Sequence, residues 1–174
     1  PLIVDNTFAT PILQNPLAHG FDLVMHSGTK YLAGHSDLIC GTLSGERKLV
    51  AKVRDYSVNH GGCLNAQDCY LLERSLKTLD LRVNRQSENA AVIAQALDDH
   101  DRVGRVYYPG LASHPAHAVA AHQMRGFGGM LSFELDDGID PLRFLRSLQL
   151  VNCAISLGGV ETLITRPATT SHSG

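Results

Sequence analysis

The sequence predicts an α/β fold in which short strands and helices alternate along the chain. Residues 2–5 and 22–25 are apolar runs that each lead into polar side chains, as buried strands do where they reach the edge of a sheet. Residues 11–20 lie between them, are long enough for a helical crossover and close with Gly20. Because a crossover joins parallel strands, both runs are expected to end on the same side of one sheet.

The composition limits the classes of partner. The chain has 174 residues, enough for one domain or parts of two, and 44% of them are hydrophobic. Lys and Arg total 15 against 17 Asp and Glu, so nothing favours a nucleic acid or an acidic membrane as partner. No apolar run approaches the roughly 20 residues that span a bilayer. The four cysteines form no C-x-x-C pair, so buried free thiols and a cytoplasmic location are expected.

Hydrophobic spacing predicts the elements that follow the second strand. Residues 38–43 read as a buried strand, and residues 46–56 place apolar side chains at helical spacing among lysines and arginines, as in a surface helix. Residues 59–62 contain two glycines and predict a loop. Residues 65–79 carry leucines along one helical face, with Asn65 as a possible N-cap.

The second half of the chain repeats the alternation. Residues 81–100 predict a long helix, and residues 102–108 a strand that ends in a Pro-Gly turn. Residues 114–124 predict a helix, and residues 131–135 alternate apolar and polar side chains like a strand with one wet face. Asp140 and Pro141 are typical of a helix start, which predicts a helix over 140–149.

The candidate chemistry lies where the first two strands end. Asp5 ends the first strand, and Ser27, Thr29 and Lys30 follow the second. A lysine amine can form a Schiff base with an aldehyde cofactor, a carboxylate can keep a ring nitrogen protonated, and hydroxyls can hold a phosphate. These requirements match pyridoxal 5'-phosphate (PLP). A lone Ser-x-Thr-Lys is more often a solvated turn, so the tetrapeptide alone does not decide between the two.

Three histidines at helical spacing raise the possibility of a metal site. His114 and His117 would share one helix face, with His122 further along. No cysteine or carboxylate completes a ligand set nearby, and Pro115 marks a helix start. A solvated helix face is therefore expected, with no metal.

The wider pattern resembles the Cys/Met-metabolism family of PLP-dependent enzymes, which includes cystathionine γ-synthase, cystathionine lyases, methionine γ-lyase and homoserine sulfhydrylases. The likeness runs over the whole chain. It rests on the blocks at residues 4–11, 26–35, 76–82, 108–111 and 156–163, followed by Pro167-Ala168 and Ser171-His172.

The resemblance implies an aspartate-aminotransferase-like fold, PLP fold type I. Residues 1–80 would be the C-terminal part of the large PLP-binding domain, and residues 81–174 the linking helix and an incomplete α+β small domain. The chain begins inside a predicted strand without an initiator methionine, so we expect a piece of a longer protein that is inactive by itself. A homo-oligomer, a dimer of dimers, is implied.

The resemblance also assigns roles to residues. Lys30 would be the Schiff-base lysine, Asp5 the partner of the pyridine nitrogen, and Ser27 and Thr29 phosphate ligands. Ser156 and Leu157 would help seat the α-carboxylate of an amino-acid substrate. Gly28 stands where the family usually has a slightly larger small residue.

The resemblance implies transsulfuration chemistry by γ-elimination or γ-replacement, with cystathionine γ-synthase or γ-lyase expected first. Many members that handle cystathionine have a glutamate where this chain has Ile155. An aliphatic side chain offers no partner to a distal ammonium group, which favours a less polar substrate tail. Methionine γ-lyase or a homoserine sulfhydrylase is the alternative within the family, and a non-catalytic fragment or binding module is the alternative outside it.

Overall fold

A three-stranded sheet forms the first part of the protein in the computed structural model, which describes residues 1–170. Strand β1 (Ile3–Asp5) pairs in parallel with β2 (Leu23–Ser27), and β3 (Gly41–Gly45) pairs antiparallel with the other side of β2. The order is β1-β2-β3. The predicted parallel pair is confirmed, and β3 begins three residues later than predicted because residues 38–40 stay in the loop before it.

The crossover between β1 and β2 differs from the single helix-length segment that was predicted. It consists of α1 (Thr10–Leu13) and a 3₁₀ helix (Pro16–His19). Each contains a proline near its start, and Pro16 has no backbone N–H with which to continue the preceding helix. Gly20 then ends the crossover with a left-handed φ of 87°, as predicted for a closing glycine.

Three helices follow the sheet: α2 (Arg47–His60), α3 (Ala66–Leu76) and α4 (Leu79–Asp98). Helix α2 buries none of its residues, which confirms a surface helix, but it continues through His60, so the predicted loop over 59–62 is half helical. The Asn65 side chain accepts a 2.9 Å hydrogen bond from the Asp68 backbone N–H, which confirms the predicted N-cap. Helix α3 ends earlier than predicted, and α4 begins earlier.

The remaining elements match the predicted alternation with shorter bounds. Strand β4 (Val103–Tyr107) pairs antiparallel with β5 (Ser132–Leu135). The Asp140 side chain caps the helix that follows by accepting a 2.9 Å bond from Leu142 N. The parallel pair of two-residue strands was not predicted. The other elements are α5 (His117–Gln123), α6 (Pro141–Ser147), β6 (Asn152–Cys153), β7 (Leu163–Ile164) and α7 (Pro167–Thr170).

Helix α4 is shared by two hydrophobic clusters. The first surrounds the start of α4 and contains Ala9, Leu13, Tyr31, Leu32, Leu79 and Val83. The second surrounds its end and contains Ala90, Ala94, Val106, Tyr108 and Leu111. Because these clusters lie at opposite ends of one helix, α4 links the crossover and the residues that follow Lys30 to the antiparallel β4-β5 pair. The division into domains at residue 80 stays a prediction.

The structure tests two expectations from composition, one about membrane-spanning helices and one about the cysteines. No helix in the described part of the chain has the length and apolarity to cross a bilayer. The four cysteines are free thiols, but only Cys40 is buried, so the expectation of burial was wrong for Cys63, Cys69 and Cys153.

Candidate active site

Two neighbouring strand ends form the base of the candidate site. Strand β1 ends at Asp5 and β2 ends at Ser27, and the parallel register places Asp5 beside Met25. Both strands therefore finish at the same edge of the sheet. Lys30 follows in a turn whose backbone N–H donates to the Ser27 carbonyl at 3.1 Å. The structure thus brings the predicted carboxylate and the predicted lysine turn to one edge.

Thr7 links the two strand ends, a role that the sequence reasoning missed. The Asp5 Oδ1 atom accepts hydrogen bonds from the Thr7 backbone N–H at 2.9 Å and from its hydroxyl at 2.5 Å. The same hydroxyl oxygen accepts a 2.7 Å bond from the Ser27 backbone N–H. The Asp-x-Thr spacing was the available signal, because Asp side chains commonly bond the backbone two residues on. The carboxylate is therefore held in one orientation at the strand end.

The amine of Lys30 points to the segment predicted to seat the substrate. Its Nζ donates to Ser156 Oγ at 3.4 Å, although the two residues are 126 positions apart. Lys30 and Ser156 are both half-buried. In the described residues Lys30 forms no ion pair with Asp5. The structure therefore joins the candidate lysine to Ser156 and leaves the carboxylate separate.

Gly158 lets the segment after Ser156 approach the lysine turn. A Cβ at this position would lie 2.5 Å from the Tyr31 backbone N and 2.9 Å from the carbonyl carbon of Lys30. Gly158 also has a φ of +77°, a conformation that L side chains rarely adopt. Only glycine fits here on both grounds.

Two apolar residues that precede this glycine have different environments. Leu157 packs against the hydrophobic cluster that contains Tyr31, whereas Ile155 is 64% exposed. The Ser36 hydroxyl donates to Glu161 Oε2 at 3.4 Å, which adds a second polar link between this segment and the lysine turn. Leu157 thus anchors the segment, and Ile155 is available to a ligand.

The two predicted phosphate ligands differ in their present bonding. The Thr29 hydroxyl donates to the Cys40 carbonyl at 3.3 Å and accepts from the Cys40 backbone N–H at 3.0 Å. The Ser27 hydroxyl has no protein partner within residues 1–170. Ser27 is therefore ready to bind a ligand, while Thr29 would have to share a hydroxyl that already holds the Cys40 backbone.

The small residue at position 28 is explained by Cys40. A Cβ on Gly28 would overlap the Cys40 sulfur. Burial raises the pKa of the Cys40 thiol, and the nearby Asp68 and Cys69 raise it further. Cys40 therefore remains a neutral, space-filling side chain beneath the lysine turn.

A buried polar pair lies under the strand ends. Asn6 Nδ2 lies 3.3 Å from His26 Nε2 and also donates to the Thr10 and Gln14 carbonyls, at 3.1 and 3.2 Å. Burial lowers the pKa of His26, and the negative charge of Asp5 opposes this shift only in part. His26 is thus held neutral as part of the scaffold.

Arg82 holds the outer side of the lysine turn and was not predicted as a site residue. Its guanidinium donates to the carbonyls of Tyr31 at 2.7 Å, Leu32 at 3.3 Å and Ser75 at 2.9 Å. Burial lowers the pKa of Arg82. An arginine among apolar neighbours on a predicted helix was the only indication of its importance. Its hydrogen-bond partners depend on tertiary structure.

A cleft of about 510 Å³ borders the site without containing it. Asp5 and Asn6 contribute to its wall, and the lysine turn and Ser156 do not. The other lining residues are mostly apolar: Val4, Phe8, Ala9, Gln14, Pro109, Met124, Phe127, Gly128 and Met130. Of the predicted site residues, only Asp5 therefore lines this cleft.

His114 and His117, considered as metal ligands on one helix face, do not share a helix, because α5 begins at His117. His117 Nδ1 lies 2.8 Å from the Pro109 carbonyl, and its ring is 5.4 Å from that of Phe127. Over residues 1–170, no group of three or more His, Cys, Asp or Glu side chains is arranged to hold a metal ion.

A sheet edge that presents a lysine, a carboxylate and a free hydroxyl is an arrangement suited to enzymes that bind an aldehyde cofactor through lysine. The family model for Cys/Met metabolism PLP-dependent enzymes matches residues 1–174. The chain belongs to this family.

Three similar proteins show the range of the family. A cystathionine beta-lyase from Coxiella burnetii is 51% identical over 174 residues, which are 98% of this chain and 45% of that protein. An L-methionine gamma-lyase from Fusobacterium nucleatum subsp. polymorphum is 44% identical over 175 residues, 99% of this chain and 44% of that protein. The crystal structure of a cystathionine gamma synthase from Xanthomonas oryzae pv. oryzae, in complex with aminoacrylate and cysteine, superposes with a TM-score of 0.94.

That crystal structure is 46% identical, and the match covers 98% of this chain and 45% of that chain. The chain therefore spans less than half the length of each of these three proteins. The predicted fold type is supported, since the structures that match are those of enzymes of this family. Ser171 and His172, which contributed to the resemblance, lie outside the described residues.

Proposed function

We propose that the intact gene product is a PLP-dependent enzyme that makes or breaks a carbon–sulfur bond in the side chain of an amino acid. The observation that carries this proposal is the 3.4 Å contact from Lys30 Nζ to Ser156 Oγ, at the sheet edge where β1 ends in Asp5. It joins a candidate cofactor-binding amine to a candidate substrate-binding segment. The similar proteins described above are named for reactions of this type.

The polar atoms at this edge fit PLP. Asp5 uses Oδ1 for its bonds to Thr7, and within residues 1–170 its Oδ2 accepts no hydrogen bond. The hydroxyl of Ser27 is equally available. Lys30 and Asp5 form no ion pair among the described residues, so neither group is occupied by the other. The Lys30 amine, the free Asp5 oxygen and the Ser27 hydroxyl would suit, in that order, the amine-reactive carbon, ring nitrogen and phosphate of the cofactor.

Each of these residues then has a task. Lys30 would hold PLP covalently, Asp5 would keep its ring nitrogen protonated, and Ser27 with Thr29 would bind its phosphate. When bound, PLP supplies an electron-withdrawing ring that stabilises negative charge at the substrate Cα. The amine of Lys30 would also serve as the base that accepts the proton from that carbon.

Two other residues orient these groups. The Ser156 hydroxyl accepts a hydrogen bond from the Lys30 amine and so directs it toward the substrate segment. Thr7 fixes the carboxylate of Asp5 through two hydrogen bonds. Ser156 and Leu157 would seat the substrate α-carboxylate, because the Ser156 hydroxyl contacts the amine that must reach the adjacent Cα.

Cystathionine γ-synthase or cystathionine γ-lyase is the activity that we propose first. Methionine γ-lyase or a homoserine sulfhydrylase is the second candidate. The observation that favours it is Ile155, an exposed aliphatic side chain beside Ser156 that gives a distal ammonium group no hydrogen-bond acceptor. Turnover of cystathionine, methionine and acylated homoserines by the intact protein separates these candidates.

Covalent trapping tests the proposal directly. The intact protein is incubated with PLP and reduced with borohydride, and the modified peptide is identified by mass spectrometry. We expect the label on Lys30, its loss in Lys30→Ala, and its retention in the control Lys48→Ala on the surface helix α2. Label on another lysine, or none in the wild-type protein, would contradict the assignment. The latter result would favour a binding module without catalysis.

The assembly and location are also proposals. From the family resemblance we propose a dimer of dimers in the cytoplasm. Light scattering of the intact protein would measure its mass, and a monomer in solution would contradict the proposed assembly.

A further inference from the structure

Two side chains on one face of α4 hold the two segments of the candidate site. Arg82 and Gln86 are four positions apart, so they lie one above the other on the same face of the helix. Arg82 contacts the turn that carries Lys30, and Gln86 contacts the segment that carries Ser156. One helical turn therefore separates the two points of attachment.

The attachment of Arg82 consists of bonds to backbone carbonyls. Three of its donors reach the carbonyls of Tyr31, Leu32 and Ser75, and its Nε donates to Thr78 Oγ1 at 3.1 Å. Among the described residues it forms no ion pair. The planar guanidinium thus fixes the position of the backbone immediately after Lys30. The single ammonium group of a lysine would not provide the same set of directed donors.

There is also little free space around the guanidinium. A Cβ on Gly34, which has a φ of +73°, would overlap Arg82 Nη1. Gly34 N donates to the Lys30 carbonyl at 2.8 Å, so this glycine closes the lysine turn. The turn and the guanidinium therefore fit against each other without an intervening side chain.

The attachment of Gln86 is a single short bond to the substrate segment. Its Nε2 donates to the Gly159 carbonyl at 2.6 Å. Its Oε1 is buried and has no partner among the described residues, which is costly for a polar atom. A side chain that only filled space would not bury an unsatisfied oxygen, so the amide is retained for its donor.

The hydrogen bonds of Arg82 and Gln86 both bear on how far the Lys30 amine lies from Ser156. Arg82 fixes the turn of Lys30, Gln86 fixes the segment of Ser156, and the amine of Lys30 meets Ser156 Oγ at 3.4 Å. We propose that Arg82 and Gln86 are positioning residues, and that α4 sets the separation between the cofactor-binding lysine and the segment that binds the substrate carboxylate. This inference rests on the proposed function and identifies the parts of α4 on which that site depends.

A localised readout distinguishes positioning from general stability. In the intact protein, Gln86→Met keeps the length of the side chain and removes the donor. Amide hydrogen exchange should then rise about fivefold in the peptide covering 156–161 and stay unchanged in the peptide covering 29–35. Arg82→Lys, chosen because Arg82→Met could prevent folding, should produce the reverse pattern.

The kinetic consequences should separate in the same way. Gln86→Met should raise the KM for the amino-acid substrate about fivefold, with kcat within twofold of wild type and covalent trapping of PLP on Lys30 unchanged. Gln95→Met is the matched control, because Gln95 lies on the same helix and bonds only the exposed Asp99 side chain, at 3.0 Å. It should change neither KM nor the exchange of either peptide.

Some outcomes would overturn the inference. Uniformly faster exchange with an unchanged KM would mean that Gln86 contributes stability alone, and equal effects of Gln86→Met and Gln95→Met would remove the special role of the Gly159 contact. Failure of the proposed function is a different result, since wild-type protein would then not trap PLP on Lys30. Hydrogen exchange tests the two attachments even in that case.

Discussion

Replacing Gly158 by alanine tests the close approach between the substrate segment and the lysine turn. The added Cβ would meet the Tyr31 backbone N at 2.5 Å and the Lys30 carbonyl carbon at 2.9 Å. Neither atom belongs to a flexible side chain, so one of the two segments must move. The substitution therefore perturbs the geometry on which the proposed function depends.

Two contributions set the magnitude. A non-glycine residue at a φ of +77° costs about 1–2 kcal/mol, and overpacking against fixed backbone adds about 1–3 kcal/mol. Gly61 provides the control, because its φ is +83° and a Cβ there would have nothing within 4 Å. Gly61→Ala should therefore be destabilised only by the backbone conformation. The difference in free energy of unfolding between the two variants then measures the cost of the steric contact.

The assay compares urea unfolding of both variants in the intact protein by circular dichroism, together with their steady-state kinetics. We expect Gly158→Ala to unfold at a clearly lower urea concentration than Gly61→Ala and to lose kcat/KM on the order of 100-fold, as misplaced catalytic groups do. Equal midpoints for the two variants, with wild-type kcat/KM in Gly158→Ala, would refute the reasoning.

Four further predictions concern separate parts of the molecule. Asp5→Asn should keep PLP bound but lower kcat on the order of 100-fold, measured by absorbance and turnover; near-normal turnover would contradict its role. Ile155→Glu should shift preference toward cystathionine over methionine in competition assays, and unchanged specificity would exclude this residue as a determinant. Burial lowers the pKa of His26 below its ordinary value of 6.5, so the unfolded chain binds this proton more readily. The contribution of His26 to the free energy of unfolding is therefore full above that value and is lost as the pH falls below it. The urea midpoint should be lower at about pH 5.5 than at about pH 7.5. In His26→Gln this part of the pH dependence should disappear. Asn65→Ala should cost about 1 kcal/mol in urea unfolding through loss of the α3 cap, and no measurable loss would mean that water replaces the cap.

The sequence was most informative where local chemistry determines structure. Apolar runs over residues 2–5 and 22–25 predicted two strands and the edge that they share, and residue types typical of helix starts predicted the caps at Asn65 and Asp140. These features depend on residues within a few positions of one another. The resemblance supplied the roles proposed for Ser156 and Leu157, which no local pattern indicates.

Features that depend on tertiary contacts were missed. The loop before β3 extends to Cys40 because the Thr29 side chain and backbone hold the Cys40 backbone, a contact between residues 11 positions apart. Strands β6 and β7 have two residues each, too few for any periodicity. The hydrogen-bond partners of Arg82 and Gln86 depend on how α4 packs against the site. No neighbouring residue in the sequence predicts them.

The overlap at Gly28 couples two positions that a designer would otherwise treat separately. The sulfur at position 40 already fills the volume that a methyl group at position 28 would need. Enlarging residue 28 therefore requires a smaller residue at position 40 first, and the reverse order creates a steric conflict within the turn that leads to Lys30. The order of the two substitutions therefore matters. Removing the thiol first leaves a cavity that the added methyl group can fill, whereas adding the methyl group first produces a clash with the sulfur.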